Sequence, residues 1–250
     1  MTNKYMYFIA NWKMYGELNS IKSLNKVIKF SKLSKKYNFK IIYCPPYTLL
    51  NSFSKKLKNT NIHIGGQNCH YYERSGSFTG SINSKMLKDI GAKYVILGHS
   101  ENRILGENNL LINKKIKSSI KNGLKIIFCI GETLSNKKNN ITRKILMNQI
   151  SNGLKGIKKL NDVLVAYEPV WSIGSGIVPS NHDLENNINF IKNSLKQKFK
   201  LKVPKVLYGG SVNLQNIVNL IKIDAVDGFL IGGASQDSNK FIDIVKKTFI

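Results

Sequence analysis

The chain has 250 residues, and 39 Lys+Arg against 14 Asp+Glu leave a formal charge of +25. Apolar side chains at 42% and aromatics at 10% are ample for a core, which excludes disorder as the main state. Three cysteines, Cys44, Cys69 and Cys129, complete no disulfide framework and match no zinc spacing, and no apolar run reaches the roughly 18 residues of a membrane helix.

In chain order, the first residues, Met1-Thr2-Asn3-Lys4-Tyr5, offer no apolar leader ahead of polar Asn11 and Lys13, so the expectation is a cytoplasmic protein with no membrane partner. Short runs rich in Ile, Val, Phe and Tyr then recur at 5–10, 39–43, 62–64, 94–97, 125–130, 163–166, 205–208 and 226–231. Each is too short for an independent helix and suits a strand buried on both faces. Between them lie amphipathic stretches with apolar residues three and four apart, such as Ile21, Leu24, Val27, Ile28 and Leu184, Ile188, Ile191, Leu195. Ser180 and Asn181 are expected N-caps of the second stretch, and Gly123 ends the helix around 116–120. Residues 68–81 break the rhythm and read as a long excursion, and the Lys/Asn patch 136–140 reads as a surface loop. Eight strand-then-helix units without a linker favour a closed (β/α)8 barrel, one α/β domain spanning 1–250, over an open doubly wound sheet.

In such a barrel the chemistry sits just after each strand. Asn11 and Lys13 follow the first run, and His99, Ser100 and Glu101 the fourth. Glu132 and Glu168 follow the fifth and sixth, and Gly209-Gly210-Ser211 and Gly232-Gly233 the last two. The paired glycines fit a phosphate cup or two ordinary tight turns. Glu168, beside Pro169, Val170 and Trp171, fits a partly desolvated general base or a salt-bridged strand end. Residues 169–179, with prolines at both ends and Ile173, Gly174 and Gly176 between, form either a hinged lid or a static binding loop. At a helix start, local positive charge keeps the His99 imidazole neutral and able to donate a hydrogen bond. His63, His70 and His182 read as structural, Cys129 as a core thiol, and no cluster has metal-ligand spacing.

Six motifs together resemble the triosephosphate isomerase family: Asn11-Trp12-Lys13-Met14, residues 96–101 (ILGHSE), 129–132 (CIGE), 166–171 (AYEPVW), 208–212 (YGGSV) and 232–235 (GGAS). The resemblance implies a cofactor-independent isomerase of glycolysis acting on triose phosphates, with catalytic Asn11, Lys13, His99 and Glu168 supported by Ser100 and Glu101. It implies phosphate binding by Gly174, Ser211, Gly232 and Gly233, and a lid comprising Pro169, Val170, Trp171, Ile173 and Gly176. It further implies a homodimer joined by a loop containing Gln67, Phe78, Thr79 and Gly80, with Thr79 near Asn11 and Lys13 of the other copy. The chain departs from the family at Ser81 and Asn102, where an interface ion pair is usual, and at Lys192, where an arginine often braces an acid near Asp227. Ser172 and Ser175 replace frequent Ala and Thr in the lid and are expected to be mild changes. The positive charge adds no specific nucleic-acid partner: only Arg74, Arg103 and Arg143 carry the planar fork that such sites favour, and the lysines are scattered.

Overall fold

The computed structural model describes residues 4–249; Met1-Thr2-Asn3, where the leader argument starts, and Ile250 lie outside the described residues. The strands are β1 (Met6–Asn11), β2 (Phe39–Cys44), β3 (Ile62–Gly66), β4 (Tyr94–Leu97), β5 (Lys125–Ile130), β6 (Val163–Tyr167), β7 (Val206–Tyr208) and β8 (Gly228–Ile231). They pair in sequence order, all parallel, and β8 returns to β1, so the chain folds as a (β/α)8 barrel.

Alternation along each strand builds two cores. In β1 and β5, Ile9, Ile127 and Cys129 join the cluster that fills the barrel. Their neighbours Phe8, Ala10, Ile126 and Phe128 join the larger cluster under the helices. Closure at β1–β8 requires Gly228, whose φ is +152°: a Cβ there would stand 2.1 Å from the Tyr7 carbonyl oxygen.

The outer layer follows the amphipathic spacing. Helix Asn181–Phe199 buries Leu184, Ile188, Ile191 and Leu195, each worth about 1.5–3 kcal/mol when fully covered. Its N-cap Ser180 accepts the Asp183 N–H at 3.1 Å. Gly123 turns the chain out of helix Asn109–Lys121 with φ +77°. The first amphipathic stretch is divided, with Ile21 in a 3-10 segment Leu18–Ser23 and Leu24 and Val27 in helix Leu24–Ser31. The patch expected as loop at 136–140 is partly helical, Leu134–Lys138, because Thr133 and Asn136 cap each other's backbone and nucleate the turn. Residues 68–81 do lack helix and strand beyond a bridge from His70 to Asn83.

At the strand N-termini, Lys192 Nζ lies 2.7 Å from Asp227, with Lys205 at 3.3 Å and Lys4 at 3.5 Å. Burial pushes the Asp227 carboxyl up, but Lys192 and the Val206 N–H outweigh it and hold the group below the usual carboxylate range. Three point charges thus stand where one planar fork would serve.

Candidate active site

The C-terminal strand ends converge on a cup of about 250 Å³. Asn11, Lys13, His99, Glu168, Ile173, Gly174, Ser211, Gly232 and Gly233 all line it, so residues from five strand ends and the 169–179 loop meet as the sequence implied.

Lys13 follows β1 in a left-handed conformation, φ +54°, unusual for a residue with a side chain. Two side chains hold that backbone. The Lys13 N–H donates to Asn11 Oδ1 at 3.1 Å, and Gln67 donates to the Lys13 carbonyl at 2.8 Å. The strained turn sends the ammonium over the cup, where it meets Glu101 Oε1 at 2.6 Å.

His99 caps the five-residue helix Ser100–Ile104 with its own ring, Nδ1 accepting the Glu101 N–H at 3.3 Å. An N–H directed at Nδ1 places the imidazole proton on Nε2. Nε2 lies 3.5 Å from Glu168 Oε1, too long and misaligned for a hydrogen bond. Glu168 is only 1% exposed. Its Oε2 receives the Ser100 N–H at 3.4 Å, while buried Oε1 has no hydrogen-bond partner among the described residues. A buried carboxylate oxygen left without a partner is costly, and Glu168 lines the cup, where a ligand can supply one.

The position of Glu168 depends on its glycine neighbours. A Cβ on Gly131 would fall 1.7 Å from the Glu168 carbonyl oxygen, and one on Gly209 2.7 Å from its Cγ. Cys129 is a buried thiol as expected; burial, then the adjacent Glu168, pushes it well up.

The first turn of the 169–179 loop, Val170–Ser172, is anchored by Glu132, which is 1% exposed and was legible only as a strand-end carboxylate. It accepts Trp171 Nε1–H at 2.9 Å and the Tyr167 hydroxyl at 3.1 Å; burial raises its carboxyl despite these donors. Lys137 Nζ sits 4.0 Å above the Trp171 ring. Pro169, Val170, Trp171 and Gly176 flank the cup without lining it, whereas Val212 and Ala234, quoted above only within motifs, and Asn213 and Leu230, missed in the sequence, do line it. Only their places beside the paired glycines and the eighth apolar run could have flagged them. Phe78, Thr79 and Gly80 are exposed and do not line the cup. Among the described residues, no group of three or more His, Cys, Asp or Glu is arranged to hold a metal ion, and no helix is long and apolar enough to cross a membrane.

An imidazole, a carboxylate and an ammonium on the C-terminal rim define an enzyme of the (β/α)8-barrel class. The chain matches the family model described as Triosephosphate isomerase over residues 6–248, and it belongs to the triosephosphate isomerase family. It is 43% identical over 244 residues to the triosephosphate isomerase of Thermodesulfovibrio yellowstonii, covering 96% of this chain and 98% of that one. It is 39% identical over 252 residues to that of Dictyostelium discoideum, covering 98% and 97%. The crystal structure of triosephosphate isomerase from Bartonella henselae superposes with a TM-score of 0.88 at 33% identity, covering 97% and 98%. The chain is therefore an isomerase of glycolysis.

Proposed function

We propose that the chain, acting as one barrel domain, interconverts dihydroxyacetone phosphate and glyceraldehyde 3-phosphate by proton transfer through an enediolate, with no cofactor. The observation that carries this reading is the buried Glu168 Oε1, unpartnered and 3.5 Å from His99 Nε2 at the cup.

Glu168 takes the proton from the carbon beside the substrate carbonyl, and the electron pair passes onto the carbonyl oxygen. The Nε2–H of neutral His99 donates to that oxygen, relays its proton between the two enediolate oxygens, and Glu168 returns the carbon proton to the neighbouring carbon. Lys13 and Asn11 offset the negative charge; preorganised donors of this kind are worth about 2.7–4 kcal/mol each where measured. The N–H groups of Gly174, Ser211 and Gly233, with Gly232 beside them, hold the phosphate. Closure of 169–179 keeps water from the intermediate. Ser100 and Glu101 support the rim through their contacts with Glu168, His99 and Lys13.

A homodimer is part of the same reading. Met14, Leu18, Phe78, Ile104 and Leu105 are exposed apolar side chains on the segments that follow β1, β3 and β4. Such a patch fits a second copy, despite Ser81 and Asn102, with Thr79 reaching the partner's Asn11 and Lys13. Sedimentation showing a fully active monomer at micromolar concentration would refute this. Free, buried cysteines support a reducing cytoplasm. Arg103 is spent inside the fold on the Gly98 and Cys129 carbonyls, which supports no specific nucleic-acid partner.

The test is a coupled assay with glyceraldehyde 3-phosphate on wild type and Glu168→Ala, with folding checked by circular dichroism. Turnover is expected to fall by orders of magnitude. Unchanged activity in a folded variant removes Glu168 as the base.

A further inference from the structure

Ser172 ends the first turn of the lid and is wholly buried. Its hydroxyl donates to the Ile177 carbonyl at 2.6 Å, across the lid to its far side. Two further groups reach the same oxygen: the Tyr208 hydroxyl at 2.8 Å and the Ser211 N–H at 3.4 Å. A serine hydroxyl has one proton and two lone pairs. With the proton committed to Ile177, Tyr208 donates, Ser211 donates, and the capacity of the oxygen is filled. Gly210 makes room for this knot, since a Cβ there would lie 2.3 Å from the Tyr208 hydroxyl and 2.6 Å from Ser172 Oγ.

The knot links the two ends of the lid to each other and to the loop after β7. It also occupies the N–H of Ser211, one of the donors assigned above to phosphate. We propose that Ser172 is a positioning residue, a hydroxyl clasp that holds the lid in this arrangement and keeps the Ser211 N–H until a phosphate group displaces it. The inference rests on the phosphate-cup reading. The contact from Ser211 is long and between neutral groups, whereas a phosphate dianion accepts shorter, charge-assisted bonds. The dianion therefore wins the exchange, and an uncharged triose does not. The clasp makes lid release conditional on the charged end of the substrate and lowers affinity by what it costs to open.

Removing the hydroxyl removes that competition. Inorganic phosphate binding is measured by Trp171 fluorescence, and steady-state kinetics with glyceraldehyde 3-phosphate are measured alongside, for wild type and Ser172→Ala. The variant is expected to bind phosphate about three- to tenfold more tightly and to lower KM by a similar factor without raising kcat. A structural role alone would move stability and leave this split absent. Tyr208→Phe, which loosens the clasp from its other side, serves as the second variant and is expected to tighten phosphate binding by a smaller factor. Equal or weaker phosphate binding in folded Ser172→Ala overturns the clasp while leaving the cup intact. Phosphate binding by neither wild type nor variant overturns the phosphate-cup reading and the clasp with it.

Discussion

Replacing Gly209 by alanine tests how tightly the barrel fixes Glu168, the proposed base. Gly209 has no left-handed φ, so alanine fits its backbone and the cost is steric. The added Cβ would stand 2.7 Å from Glu168 Cγ, whereas ordinary contact begins near 3.4 Å, a shortfall of about 0.7 Å. Neither backbone can retreat to absorb it. The Gly209 N–H is bonded to the Tyr167 carbonyl at 2.8 Å, and the Glu168 carbonyl is already pressed against Gly131. The Glu168 side chain must move instead, by most of an ångström. A misplacement of about 1 Å costs on the order of 10²-fold in rate, or about 2.7 kcal/mol at 1.36 kcal/mol per tenfold. The expected result is a kcat about 10²-fold lower in the coupled assay, with KM within about twofold because the proposed phosphate donors are untouched. Stability should fall by about 1 kcal/mol, the low end for overpacking, since the displaced side chain can swing into the cup. A folded Gly209→Ala enzyme with kcat within about threefold of wild type would refute the argument that this glycine positions the base.

His63 provides a pH prediction. Burial, reinforced by Lys40, Lys93 and Lys125, lowers its pKa to about 4. A histidine depressed on folding contributes stability that is present above its unfolded value near 6.5 and is lost as pH falls toward the folded value. Urea unfolding should therefore show wild type losing more stability than His63→Gln between pH 7 and pH 4; parallel curves would contradict it. Asp227→Asn should destabilise by about 2 kcal/mol at pH 7, because it leaves three lysines gathered around a neutral amide. Asp227 is a depressed carboxyl, so its contribution is present above the ordinary value of 3.8 and lost as pH falls through the folded value below it. Wild-type and variant unfolding midpoints should converge in acid; a constant gap would show that the charge is not the cause.

The barrel was legible because parallel strands buried on both faces leave continuous apolar runs, and β4 and β5 begin and end where those runs do. The place of the cup was legible for a related reason. Residues just past the strand ends share the C-terminal rim, so Asn11, His99 and Glu168 fall around one cup, whereas Glu132 after β5 is taken up by Trp171 and Tyr167. What stayed hidden depends on contacts between loops distant in sequence. The Ser172 hydroxyl is an unremarkable lid substitution until Tyr208 and Ser211, 36 and 39 residues on, are folded against it. The left-handed turn at Lys13 is equally silent in sequence, because lysine carries no preference for it and Gln67 imposes it from the loop after β3. The helical part of the 136–140 patch was hidden because its Lys/Asn composition is that of a solvated loop, while the deciding signal is the mutual capping of Thr133 and Asn136.

The central claim is that Glu168 moves a carbon-bound proton through an enediolate. It is tested most directly by running the isomerisation in deuterium oxide and locating deuterium in the product by NMR. The account predicts deuterium at the carbon that receives the proton for wild type, and neither turnover nor label above background for Glu168→Gln. Product formed at full rate with no solvent deuterium, or a folded glutamine variant that labels product as wild type does, would contradict it.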